Sequence, residues 1–62
     1  MNFHFVWKAF NVTTGETEGV YEQTIYGNGL ADAVNTWTRF HGELSADEND
    51  CALEISSITE VP

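Results

Sequence analysis

The sequence predicts a small α+β domain: a three-stranded sheet with antiparallel pairing and one helix packed on one face, in the order β-β-α-β. Three observations favour this fold class. Two segments alternate apolar residues as strands do, a polar run with two glycines suits a hairpin, and one segment repeats apolar residues at helical spacing. The 62 residues form a single domain, 1–62, whose marginal core buries about 60% of the surface exposed on unfolding.

The first two strands are predicted as a hairpin. From Phe3 to Val12 the side chains alternate between two faces. The strongly aromatic face carries Phe3, Phe5, Trp7 and Ala9. The polar run from Thr13 to Gly19 follows as the hairpin loop. Val20 to Tyr26 is rich in β-branched and aromatic residues, which predicts a second strand antiparallel to the first.

A helix is predicted from Gly29 or Leu30 to Gly42. Asn28 is a suitable N-cap, and Gly42 is expected to end the helix because glycine readily adopts the left-handed conformation that closes many helices. Several residues of the segment have modest helix propensity, so we expect packing to hold the helix. Its apolar face consists of Leu30, Ala33, Val34, Trp37 and either Phe40 or His41.

The third strand is predicted from Cys51 to Val61, and its apolar pattern changes phase within it. Leu53 and Ile55 share one face, whereas Ile58 falls on the other. A bulge or a change of buried face near Ser56-Ser57 would reconcile the two phases. The predicted core contains Phe3, Phe5, Trp7, Ile25, Leu30, Ala33, Val34, Trp37, Leu53 and Ile55.

One sheet face is expected to stay open, because one helix covers only one side of a three-stranded sheet. In the predicted register Val6 and Phe10 point to this open face, with a tyrosine of the second strand as a neighbour. A cluster of aromatic residues on a bare sheet face is typical of an interaction site. An alternative function is therefore a structural or assembly module that forms a homodimer through this face.

Charge is the strongest global signal in the composition. Ten Asp and Glu residues oppose only Lys8 and Arg39, giving a formal net charge of -8. The chain lacks the cations that bind phosphate groups, so we expect neither direct nucleic-acid binding nor attachment to anionic membranes. Such an acidic surface favours a partner protein with a basic surface. The same charge also keeps a small domain in solution, so it does not by itself require a partner.

No residue set predicts catalysis, a cofactor or a metal site. Cys51 with His4 or His41 has no third group to orient a thiol and its base. The acidic run that starts at Asp47 departs from the calcium-loop pattern, with Ala52 where that loop needs glycine. We therefore expect a non-enzymatic protein without a cofactor.

Localisation is predicted to be cytoplasmic. The single cysteine cannot form an internal disulfide and fits a reducing compartment. The N-terminal residues lack the features of a secretory signal, and no segment approaches the roughly 20 apolar residues that span a bilayer.

Carboxylates in two segments are the predicted contacts with a basic partner. They are Glu16, Glu18 and Glu22 of the hairpin, and Asp47, Glu48 and Asp50 of the connection between the helix and the third strand. Carboxylates spaced in this way could occupy pockets made for phosphates, so nucleic-acid mimicry is one expected mechanism. The two segments form one surface only if the fold brings the connection to the same end of the domain as the hairpin loop.

The strand order, the run IYGNGLADAV and the closing ALEISSITEVP resemble small acidic bacteriophage proteins that disable host machinery. The sequence is most similar to the phage-encoded inhibitors of bacterial RNA polymerase, over about Val20 to Val61. The shared positions are Ile25, Tyr26, Leu30 and Ala33.

This resemblance implies binding to the basic jaw region of the polymerase through an acidic strip and through arginines on the last strand. Glu22, Asp32 and Glu54 are the counterparts of the acidic strip. The third strand departs from the family pattern, because Ser56 to Thr59 contains no positive charge. The resemblance therefore favours a host-directed binding role more than it favours polymerase as the target.

Overall fold

The computed structural model describes the backbone of residues 1–47 and 51–62, and the side chains of residues 1–41 and 51–62. Its elements are β1 (Asn2–Asn11), β2 (Thr17–Tyr26), α1 (Leu30–Asp47) and β3 (Cys51–Val61). The strands form one antiparallel sheet in the order β2-β1-β3. This arrangement confirms the predicted α+β fold class and the order β-β-α-β.

The hairpin loop between β1 and β2 is shorter than predicted, and Asn11 organises it. The side-chain oxygen of Asn11 accepts hydrogen bonds from the N–H groups of Thr13 at 2.8 Å and Thr14 at 3.0 Å. The backbone carbonyl of Asn11 accepts a third hydrogen bond, from the N–H of Gly15 at 2.7 Å. Gly15 has a φ of 79°, which glycine adopts without steric cost. The N–H of Asn11 donates to the carbonyl of Glu16 at 2.9 Å. These bonds hold Glu16 beside the end of β1.

The predicted bulge in β3 is confirmed at Ser56. Val6 pairs with Ser57, and Trp7 pairs with Ile55, so Ser56 is the extra residue in the register. The shift brings Ile58 to the same face as Ile55, and both pack against the core.

The core lies between α1 and one face of the sheet, here called the covered face, and aromatic rings dominate it. Trp37 stacks on Phe5 with ring centroids 6.4 Å apart, and it meets Trp7 edge to face at 5.7 Å. The buried cluster contains Phe3, Phe5, Trp7, Ile25, Ala33 and Trp37, with Val34, Leu53, Ile55 and Ile58 packed against it. Leu30 is the exception among the predicted core residues, because it is 53% exposed. It opens α1 one turn before the first buried helical residue, Ala33.

The predicted helix end at Gly42 is wrong, because α1 continues to Asp47. A glycine inside a helix costs only about 1 kcal/mol relative to alanine. Good helix formers follow it in Glu43, Leu44 and Ala46, and they offset that cost.

The start of α1 is stabilised from within the helix rather than by the side chain of Asn28. The carboxylate of Asp32 accepts a hydrogen bond from the backbone N–H of Asn28 at 2.9 Å. Gly29 holds the N-cap position, and its carbonyl accepts the first helical bond, from Ala33 at 3.1 Å. Asp32 also lies in the first turn, where the helix dipole favours negative charge.

Asp32→Ala is expected to lower the free energy of unfolding by about 0.5–1 kcal/mol, because it removes this bond and the favourable charge. Urea denaturation followed by circular dichroism measures the loss. Asn35→Ala is the matched control, since Asn35 is exposed on the same helix and alanine is the better helix former. Equal midpoints for the two variants would contradict the role of Asp32.

Candidate functional site

The sheet has two ends that the topology keeps apart. The hairpin end contains the loop between β1 and β2, together with Cys51, which opens β3 opposite Asn11. The helix-start end contains the last residue of β2, Tyr26, and the chain that leads into α1. There the N–H of Gly27 donates to the carbonyl of Met1 at 2.9 Å.

α1 runs along the covered face from the helix-start end towards the hairpin end. Its residues Trp37 and His41 contact successively later positions of β1: Trp37 stacks on Phe5, and the His41 ring lies 4.7 Å from Trp7. The chain then re-enters the sheet at Cys51, at the hairpin end. The described backbone of α1 therefore runs towards the end where β3 begins and the hairpin loop lies.

Exposed carboxylates mark the hairpin end. Glu16 precedes β2, and Glu18 lies where the pairing of β1 with β2 shifts register. In the part of the chain whose side chains are described, neither carboxylate has a basic side chain within ion-pair distance. Asp47 is the last residue of α1, and Glu48 and Asp50 lie outside the described residues.

The carboxylates on the open face, which is the sheet face opposite α1, lie beside basic side chains. The Oε2 atom of Glu22 is 3.7 Å from Nε2 of His4, and the Oε1 atom of Glu54 is 3.8 Å from Nζ of Lys8. Both residues of the Lys8–Glu54 pair are more than one-third exposed, so the pair contributes at most about 1 kcal/mol. Glu22 and Glu54 on the open face therefore each have a basic side chain nearby, whereas no such side chain is found beside Glu16 or Glu18 among the described residues.

The apolar residues of the open face are spread along it. Val6 and Phe10 both lie there, half-buried. Tyr26 lies on the same face but pairs with Asn2, about 26 Å from Phe10 at strand spacing, while Tyr21 lies on the covered face. The expected aromatic cluster is therefore divided between the two ends of the sheet.

A pocket that the sequence analysis missed lies on the covered face towards the hairpin end. Its volume is about 360 Å³, and its described lining is Trp7, Ala9, Tyr21, His41 and Leu53. Tyr21 and His41 both contact the Trp7 ring, with centroids 6.0 Å and 4.7 Å from it. Nε2 of His41 also lies within hydrogen-bond distance of Oε1 of Gln23, at 3.1 Å. We call this cavity the Tyr21 pocket.

The Tyr21 ring occupies space that is free because Gly19 has no side chain. A Cβ atom at position 19 would lie 2.6 Å from the Tyr21 hydroxyl oxygen, so the ring extends back over Gly19. Ala9 pairs with Gly19 across the strands and is also small. Two small residues at one register position thus leave room on the covered face for the Tyr21 ring, which forms one wall of the Tyr21 pocket.

No protein-family model, curated protein or solved structure matches this chain. The similarity to phage inhibitors of RNA polymerase therefore stays a prediction.

Asp32 is separated from the other candidate contacts. It lies at the helix-start end, and its carboxylate bonds to the backbone of Asn28. Among the residues with described side chains, no three His, Cys, Asp or Glu residues come together in a way that would hold a metal ion. Within the described ranges, no helix is long and apolar enough to cross a membrane.

Proposed function

We propose that this chain is a small, acidic, non-enzymatic binding protein of the cytoplasm, an inhibitor or adaptor that docks on a basic surface of a host protein. One observation carries the proposal: Glu16 and Glu18 are exposed at the hairpin end without a described basic side chain beside them. Lys8 lies on the open face, and Arg39 is exposed on α1. A basic partner would therefore supply a counter-charge that this end of the domain lacks.

The helix adds to the negative potential of the hairpin end. α1 runs towards that end, and its last turn contains no basic residue. The C-terminal carbonyls of a helix carry a partial negative charge, which favours a nearby cation by about 0.3–1 kcal/mol. A basic partner would supply that cation.

The mechanism we propose is electrostatic steering followed by occupation of sites made for phosphates. Carboxylates that face a basic surface raise the association rate, and salt screens them. The predicted resemblance to phage proteins leads us to favour a bacterial host protein as the partner. Because residues 56–59 of β3 carry no arginine, we favour a nucleic-acid-binding protein other than the polymerase.

Affinity capture from a bacterial lysate, read by mass spectrometry, tests this proposal. We expect partners with basic surfaces at about 0.1 M salt, and their loss at about 1 M, where the Debye length falls from about 10 Å to about 3 Å. The double variant Glu16→Gln and Glu18→Gln is expected to slow association with a captured partner on the order of tenfold.

The matched control is Glu22→Gln with Glu54→Gln, which removes the same formal charge from the open face. Because these carboxylates already lie beside His4 and Lys8, we expect a smaller effect on association. Partners that are retained equally at both salt concentrations, or that have acidic surfaces, would refute the mechanism. A salt-stable dimer that Phe10→Asp dissociates would instead support self-association through the open face.

A further inference from the structure

We infer that the Tyr21 pocket receives an arginine side chain from the basic partner. This inference rests on the proposed function and names the chemical group that the docking surface recognises. The pocket lies on the covered face towards the hairpin end, so a partner attracted by Glu16 and Glu18 would dock close to it.

The walls of the pocket suit a long side chain with an apolar stem and a flat, charged head. Leu53 and Ala9 offer an apolar surface to the methylene groups, and Trp7 is almost completely buried at the base. Tyr21 is 51% exposed, so its ring forms an accessible wall on which a guanidinium can stack. His41 is half-buried and forms a second ring wall.

The surrounding charges select a cation over an anion. Glu18 directly precedes Gly19, which pairs with the pocket residue Ala9. The C-terminal half of α1, which includes the pocket residue His41, leads to a last turn without a basic residue. A positive group held over the aromatic rings is attracted by the ring faces and by the acidic field together.

Arginine fits this pocket better than lysine. A lysine ammonium is a compact, strongly hydrated charge that must give up water to enter apolar walls. The guanidinium is planar and more weakly hydrated, so it can stack on a ring while its N–H groups stay available for hydrogen bonds. We therefore expect the pocket to bind an arginine side chain more tightly than a lysine side chain.

A titration with synthetic peptides tests the inference directly. The probes are an oligo-arginine peptide, an oligo-lysine peptide and an oligo-citrulline peptide, in which citrulline keeps the shape of arginine and loses its charge. NMR spectra of the ¹⁵N-labelled protein should show the largest shifts at Trp7, Gly19 and Leu53 with oligo-arginine. We expect weaker binding of oligo-lysine and no binding of oligo-citrulline.

Two tyrosine variants provide the matched comparison. Tyr21→Ala should weaken oligo-arginine binding on the order of fivefold, because it removes the stacking wall. Tyr26→Ala removes the same side chain from the open face at the helix-start end and should leave the Kd unchanged. Gly19→Ala keeps every aromatic ring but displaces Tyr21, so it should weaken binding as well.

Three results would contradict these expectations, and each points to a different error. If both tyrosine variants bind oligo-arginine with the same affinity, and that affinity falls as salt rises, the acidic docking surface is supported and the pocket is not part of it. Equal binding of oligo-lysine or of oligo-citrulline would overturn the selection of arginine. If the lysate experiment yields no basic partner, the proposed function fails separately, whatever the peptides do.

Discussion

Phe5→Ala is expected to leave the protein largely unfolded at room temperature. Phe5 is completely buried and stacks on Trp37, so its removal leaves a cavity at the centre of the core. Phe-to-Ala changes in cores cost about 3–5 kcal/mol. A domain of 62 residues has a total stability of roughly 3–9 kcal/mol, and a core of this size lies towards the low end. Circular dichroism and urea denaturation measure the loss of folded protein.

Phe40→Ala is the matched control for Phe5→Ala. Phe40 is 67% exposed on α1, so the same atoms are removed without opening a cavity. We expect its free energy of unfolding to stay within about 0.5 kcal/mol of the parent protein. If both phenylalanine variants unfold at the same urea concentration, Phe5 is not at the centre of the core.

Gly27→Ala is expected to destabilise the protein by about 1–3 kcal/mol. A Cβ atom at this position would lie 2.8 Å from the backbone nitrogen of Ala33 and 3.1 Å from its Cα atom. The obstacle is the backbone of α1, which cannot rotate aside as a side chain can. The helix would have to move away from the sheet and loosen the core around Ala33, which is fully buried. Thermal and urea unfolding monitor this loss.

Gly29→Ala makes the same chemical change two residues later and serves as the control. A Cβ atom there meets nothing within 4 Å, and Gly29 does not have the positive φ that Gly15 has. Because Gly29 holds the N-cap position, where alanine is less favourable than glycine, we expect a loss of at most about 1 kcal/mol, below that of Gly27→Ala. Equal losses for the two glycine variants would mean that the close approach of α1 to Gly27 does not determine the effect.

The faces of the strands could be predicted because side-chain alternation has a period of two. The alternation in β1 identified Phe3, Phe5 and Trp7 as core residues, and the phase change before Ile58 indicated the bulge at Ser56. The end of α1 was missed for a different reason. Gly42 can end a helix or lie inside one, and the helix-forming residues after it decide between these outcomes.

The charged site was only partly predictable. Composition identified the carboxylates, but their neighbours depend on how the strands pair. The pairing puts His4 beside Glu22 and Lys8 beside Glu54. It also leaves Glu16 without a described basic neighbour, and no local sequence pattern shows these differences.

The Tyr21 pocket did have a signal in the sequence. Once Ile25 is assigned to the core, alternation puts Tyr21 and Gly19 on the same face of β2. The predicted loop, however, extended to Gly19 and removed that residue from the strand. Helical spacing also left Phe40 and His41 as equal choices, and His41 is the one that packs on Trp7 and Trp37.

The central position of β1 has a consequence for how the chain folds. β1 is the first element in the chain, yet it pairs along its length with β3, the last, so that Asn2 lies opposite Val61. Contacts between residues so distant in sequence require closure of a long loop, which slows folding. During synthesis, the β1-β2 hairpin and α1 emerge before β3. Until β3 arrives, one edge of the aromatic strand at the centre of the sheet lacks its partner.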